Sequence, residues 1–204
     1  DGVLDLFVAN YVNWSPENDI YTTLDGQRKS YSTPAVYEGQ SCRLYRGLGD
    51  GTFEDVTEAA GVYNPQGKSM AVAFEDIDDD GFVDIFVTND TQPNFLYLNL
   101  GNGTFEDAAL AAGVGFDENG RARAGMGVDV ADLANTGKVS IAIGNFSREP
   151  ISLYELQDEG PLFLDVAGSW GVSRHSLMTL TFPLVFADFD ADGYKDMLVG
   201  NGHL

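Results

Sequence analysis

The stretch "DIDDDGFVDIFVTND", residues 76–90, sets Asp76, Asp78, Asp79, Asp80 and Asp84 within nine positions, directly ahead of an apolar run. Carboxylates at this density repel one another, so the stretch is either an unusually charged turn or a shell around a cation. Its spacing is D-x-D-x-D-G-x-x-D, and Asp188, Asp190, Asp192 and Asp196 reproduce it in "DFDADGYKD" (188–196). Alternate carboxylates along a tight turn converge on one point, the glycine after the third allows the bend, and hard oxygen donors select Ca²⁺. The spacing predicts side-chain ligands from those eight aspartates, completed by the backbone carbonyls of Phe82 and Tyr194 and by water. An EF-hand loop opens the same way but ends on a bidentate Glu, where this chain has Val87 and Val199, and lies between helices. The plain alternative is a metal-free Asp-Gly hairpin turn. Two matches in register with a longer repeat favour the cation.

That longer repeat is plain once "FEDIDDDGFVDIFVTND" (74–90) is set beside "VADLANTGKVSIAIGNF" (130–146) and "FADFDADGYKDMLVGNG" (186–202). The turn glycines Gly81, Gly137 and Gly193 are 56 residues apart each time. Gly2 fits the same template 79 residues before Gly81, so the first interval holds an insertion of about 23 residues. It falls in the Ser-, Thr-, Pro- and Gly-rich stretch at about 11–41, which reads as a long surface loop. A second motif alternates with the first: "GLGDGTFEDVTEAAGV" (47–62) returns as "NLGNGTFEDAALAAGV" (99–114) and, more loosely, as "GPLFLDVAGSWGV" (160–172). The runs "SMAVAFEDI", "FVDIFVTN", "FLYLNLG" and "TFEDA" have strand length and strand composition. "TEAAGV" and "LAAGV" allow at most a helical turn ended by Gly61 or Gly113. Four short strands per 56-residue unit predict an all-β chain of four-stranded antiparallel blades. The expected architecture is an open β-propeller segment of three to four blades, a single unit over 1–204 cut at both ends, with intervals 2–81, 81–137 and 137–193.

The third copy differs. "DLANTGKVS" (132–140) keeps Asp132 and Gly137 but has Ala134, Thr136 and Ser140 at the other side-chain positions, too little charge to hold Ca²⁺ well. At the start of the chain, Asp1 and Asp5 stand at the fifth and ninth positions of a fourth loop.

Composition narrows the partners. The 32 acidic residues against 11 Lys and Arg give a formal charge of −21, which repels phosphate backbones and anionic headgroups. Nucleic acid is not an expected partner. Cys42 is the single cysteine, which excludes an internal disulfide and a four-cysteine zinc site. No apolar run reaches the roughly 20 residues of a membrane helix, so no membrane insertion is expected. A leader peptide, if the protein has one, is absent from this segment.

The segments "CRLYRGLGDGTFEDVTEAAGV", "GMGVDVADL" followed by "IAIGNFSREPISLYEL", and "VFADFDADGYKDMLVGNGHL" resemble the FG-GAP/VCBS repeat family, the calcium-loop blades of integrin α-like propellers. The resemblance is closest to members that carry an ASPIC/UnbV domain, the cartilage acidic protein family. It covers nearly the whole chain outside 11–41. It implies a calcium-binding propeller, an extracellular, periplasmic or cell-surface location, and adhesion to a protein or glycan ligand, with the remaining blades of a longer chain as neighbours. "DLANTGKVS" departs from the family pattern, and no ASPIC/UnbV segment is present.

Other stretches carry weaker chemistry. "GVYNPQGKS" (61–69) has five residues between its glycines where a phosphate loop has four, and Pro65 interrupts the amide donors. Ser169 in "AGSWG" lacks the nucleophile-elbow register. His175 and His203 have no partner motif, and Glu54-Asp55 and Glu106-Asp107 recur with the repeat, which points to architecture rather than paired catalytic acids. Asn10, Asn89, Asn145 and Asn201 recur after the strand, where an amide side chain satisfies turn backbone. Asn13, Asn89, Asn102 and Asn145 lie in N-x-S/T sequons. The expected function is therefore a non-catalytic calcium-binding module presenting loops to a partner. The alternative is the propeller portion of a secreted carbohydrate-active or other hydrolytic enzyme, with Tyr11, Trp14, Tyr21, Tyr31 and Tyr37 of the insertion as sugar-stacking candidates.

Overall fold

The computed structural model describes residues 2–158 and 161–202, and Asp1 and His203 lie outside them. The first unit contains β1 (Leu6–Val8), the hairpin strands β2 (Thr22–Thr23) and β3 (Lys29–Ser30), β4 (Arg43–Gly47) and β5 (Phe53–Asp55). The second unit is β6 (Ser69–Glu75), β7 (Asp84–Asn89), β8 (Phe95–Asn99) and β9 (Phe105–Asp107). The third is β10 (Gly125–Ala131), β11 (Ser140–Asn145), β12 (Ser152–Leu156) and β13 (Phe163–Asp165). A five-residue helix, α1 (Val172–Ser176), precedes β14 (Leu180–Ala187) and β15 (Asp196–Gly202).

The fold is all-β. β6 to β9 and β10 to β13 form two four-stranded antiparallel sheets in chain order, β1-β4-β5 a three-stranded sheet, and β14-β15 and β2-β3 two-stranded ones. The expected four strands per unit are therefore present in the two complete units. Their registers coincide: Val72 faces Val87 as Val128 faces Ile143, and Tyr97 faces Asp107 as Tyr154 faces Asp165.

Successive residues of a strand point to opposite faces, and here both faces are used. Ile85 and Val87 of β7 pack with Cys42, Leu44, Ala60 and Val62 of the first unit. Phe86, between them, packs with Ile141, Ile143 and Tyr154 of the third. β11 repeats the pattern one unit on, sending Ala142 to a further core with Leu153, Ala167 and Leu184. The sheets thus stack face to face in chain order, which is why "DIFVTN" and "SIAIGN" are buried throughout. The first strands lie against one another, β10 between β6 and β14. The approach is close enough that a Cβ on Gly127 would sit 1.9 Å from the Phe182 carbonyl oxygen. Asp129 seals the contact by accepting the Phe186 amide at 2.7 Å.

"TEAAGV" is a single turn, closed by Gly61 at φ 80° with the Ala60 amide donating to Val56 O at 2.7 Å. In the third copy α1 follows its glycine, Gly171, rather than preceding it. The insertion, read from sequence as loop, holds the β2-β3 hairpin and a 3₁₀ turn at Pro34–Val36. It connects β1 to β4, the second and third strands of its unit, whereas the acidic loops connect first to second. Successive connections of an antiparallel meander alternate ends, so the insertion and the acidic loops emerge from opposite ends of the sheets. Its base is tied down. Val12 bridges Gly39, Tyr11 Oη donates to Asp90 Oδ2 at 2.5 Å, and Lys68 Nζ donates to Pro34 O at 2.7 Å.

Candidate metal centre

Three loops, 76–84, 132–140 and 188–196, share one backbone path. The fourth residue is left-handed in each (Asp79 φ 61°, Asn135 φ 55°, Ala191 φ 61°), and so is the sixth (Gly81 89°, Gly137 82°, Gly193 94°). What holds the path is the first aspartate. Asp76 accepts the amides of Asp80 at 3.0 Å and Gly81 at 2.9 Å, and Asp188 those of Asp192 at 3.1 Å and Gly193 at 2.9 Å. Asp132 accepts those of Thr136 at 3.1 Å and Gly137 at 2.7 Å. These bonds hold the Asp132 carboxyl below its ordinary range, the Gly137 amide contributing most.

The ninth position ties the loop to the sheet. Asp84, fully buried, accepts the Ile77 amide at 2.9 Å and the Asn99 amide at 2.8 Å; Asp196 accepts Phe189 N at 3.0 Å. Asp5 does the same in the first unit, accepting Gly47 N at 2.9 Å. Burial pushes the Asp84 carboxyl up, opposed by the two amides. The third position has no such tie to the sheet, and Ala134 replaces it without altering the turn.

In each acidic loop three carboxylates meet. One oxygen each of Asp76, Asp78 and Asp84 lie within 4.8 Å of one another, as do those of Asp188, Asp190 and Asp196. Oxygens on opposite sides of a Ca²⁺ ion, at about 2.3–2.6 Å each, stand about 4.6–5.2 Å apart, so each trio fits a single ion. The fourth predicted carboxylate is outside both trios: Asp80 Oδ1 accepts the Phe82 amide and Asp192 Oδ1 the Tyr194 amide, both at 2.8 Å. The Phe82 and Tyr194 rings are exposed at the loop tips. Burial, then the charges of Asp80 and Asp76, push the Asp78 carboxyl up, as expected for crowded like charges.

Sequence inspection missed how the loops meet. Asn135 Nδ2 donates to Gly193 O at 2.7 Å, joining the degenerate loop to an acidic one. Glu75, Asp76, Asp79, Asp129, Asp132 and Lys195, from three units, line one cleft at this end of the sheets. Only the packing of β10 between β6 and β14 brings them together, and no local pattern signals it.

The weaker motifs resolve into architecture. Asp107 Oδ1 accepts the amides of Leu96 and Ala109, and Asp165 Oδ1 those of Leu153 and Ala167, so the recurrent aspartate that ends the fourth strand fixes the following turn. Asn10, Asn89 and Asn145 each donate to a backbone carbonyl of the next connection. Of the four sequons, Asn89 and Asn145 are buried, while Asn13 and Asn102 are exposed. Lys68 of the "GVYNPQGKS" stretch is buried against the insertion, and Ser169 Oγ donates to Val166 O within a turn. No described helix is long and apolar enough to cross a membrane.

A family model described as "FG-GAP-like repeat" matches residues 1–87 and 76–143. Human cartilage acidic protein 1 is 30% identical over 202 residues, covering 98% of this chain and 27% of that protein. The mouse protein is 30% identical over 203 residues with the same coverage, and that of Xenopus tropicalis 33% identical over 119 residues, 58% of this chain and 17% of its own length. The chain thus spans about a quarter of the mammalian relatives it matches.

Proposed function

This chain belongs to the FG-GAP-like repeat family, and from that premise we propose that it is a non-catalytic, calcium-stabilised β-propeller segment of an exported protein, presenting loops to a protein or glycan. The observation that carries the proposal is the contrast among the three loops. The turn at 132–140 keeps its backbone with one aspartate and Ala134 at its third position, so the third-position carboxylates Asp78 and Asp190 are surplus to folding the turn, and they crowd Asp76, Asp84, Asp188 and Asp196 without need. Like charges about 4 Å apart near a protein surface interact by about 4 kcal/mol, a cost that a divalent cation reverses. Asp76, Asp78 and Asp84, and Asp188, Asp190 and Asp196, would hold the ion, with Asp80 and Asp192 reaching it through water; Ca²⁺ there supplies structural cohesion.

The radial blade arrangement is supported by first strands that lie side by side and by sheets that stack face to face in chain order. By the same repeat, further strands of the propeller would pair with β15 as β8 pairs with β7. An extracellular, periplasmic or cell-surface site suits free calcium at a concentration that fills such loops. Thermal unfolding of metal-free protein, with calcium and with chelator, tests the proposal. A rise in melting temperature that grows with free calcium is expected, and superimposable curves would return the acidic loops to ordinary turns.

A further inference from the structure

We propose that the 11–41 insertion carries a saccharide-binding cleft, lined by Trp14, Asp19, Lys29, Tyr31, Ser32 and Tyr37, and that its ligand is a neutral sugar chain. At its centre Asp19 Oδ1 accepts hydrogen bonds from Trp14 Nε1 at 3.1 Å and Tyr37 Oη at 3.4 Å, while Oδ2 accepts from Lys29 Nζ. Tyr37 Oη in turn accepts the Ile20 amide at 2.9 Å. The carboxylate and the indole plane are therefore positioned before any ligand arrives, which lowers the ordering cost of binding.

The aromatic rings divide by role. Tyr37 is partly buried and holds the loop together, which is the ordinary duty of a loop aromatic. Tyr31 is 92% exposed, so it covers almost nothing, and Trp14 is 53% exposed although its nitrogen is held. Open aromatic faces beside fixed polar groups suit a ligand with apolar C–H faces and a hydroxyl rim. Asp19 and Lys29 are paired, so neither offers a free charge to an ionic ligand, and the chain's charge of −21 repels anions; a neutral saccharide, with C–H faces for the open rings and hydroxyls for the fixed polar groups, suits this lining. The base of the insertion, fixed by Tyr11, Lys68 and the Val12–Gly39 bridge, holds the cleft at the end of the sheets away from the acidic loops.

This deepens the loop-presentation proposal and rests on it, but does not depend on the cation. The test is calorimetric titration of the calcium-loaded protein with uncharged hexasaccharides of glucose, mannose and N-acetylglucosamine, and with a heparin hexasaccharide as the anionic control. At least one neutral hexasaccharide should bind saturably, with affinity falling about tenfold or more in Trp14→Ala and Tyr31→Ala. Trp170→Phe, outside the cleft, should leave it unchanged. Melting curves of the same variants in calcium and in chelator report on the scaffold separately, so failure of the cleft and failure of the calcium proposal are distinguishable. No neutral hexasaccharide binding at millimolar concentration, binding of heparin alone, or wild-type affinity in both alanine variants would overturn the proposal. So would a protein ligand lost in those variants and not displaced by any of the sugars.

Discussion

Loop 76–84 and loop 132–140 follow the same backbone, with a left-handed fourth residue, a left-handed glycine and one aspartate accepting the amides of the fifth and sixth positions. One adds carboxylates at its third, fifth and ninth positions; the other has Ala134, Thr136 and Ser140 there. The comparison separates two tasks that the acidic motif merges. Its first aspartate and its glycine make the turn, its ninth-position aspartate ties the loop to the sheet, and the third-position carboxylate is charge that the turn does not need.

The largest expected effect breaks the two loop types apart by cation. Each filled site adds about 2.7 kcal/mol when free calcium is 100 times its dissociation constant. Asp78→Asn combined with Asp190→Asn, nearly isosteric and lower in ligand charge, should remove most of the calcium-dependent rise in melting temperature while leaving the chelator curve unmoved or shifting it upward, because it relieves carboxylate repulsion. A variant that keeps the full rise would show that the third position is not a ligand.

Next in size is Asp84→Ala. It strands the buried amide of Ile77 and the partly buried amide of Asn99, so chemical denaturation in chelator should show a loss of about 2–3 kcal/mol. An effect confined to calcium-containing buffer would mean that Asp84 serves the ion and not the sheet.

Asp132→Ala probes the turn without the charge. It should lower the melting temperature by about 2–4 °C, equally with and without calcium. Because the amides of Gly137 and Thr136 hold this carboxyl below its unfolded value of about 3.9, its contribution is present above that pH and fades as pH falls through the folded value. Melting curves of wild type and variant should therefore converge on acidification below about pH 4. A gap that persists there would assign the loss to something other than the carboxylate. Thr136→Ala, at an exposed position with no assigned ligand duty, should stay within about 0.5 kcal/mol of wild type in either buffer.

Much of the scaffold was legible because a repeat averages out local ambiguity. Strand boundaries, the turn glycines and the recurrent asparagines all follow from residues that return every 56 positions. The sites were legible in part. The spacing singled out eight aspartates; six of them meet in the two trios, while Asp80 and Asp192 lie outside them and accept their own turn amides. The double duty of Asp76 and Asp84 depends on which amides they face, and Asn99 is 15 residues from Asp84. The insertion was legible least. Its hairpin strands are two residues each in a stretch rich in Ser, Thr and Gly, and its cleft joins Trp14 to Tyr37 across a fold with no repeat to compare.

The most direct test of the surplus-charge account is calcium titration of metal-free protein by calorimetry, which counts sites rather than inferring them from stability. Two sites per chain are predicted, at 76–84 and 188–196, each weakened about tenfold or more when Asp78 and Asp190 become Asn, and unaffected by Thr136→Ala. No binding at millimolar calcium, or two sites of undiminished affinity in the Asn variant, would contradict it.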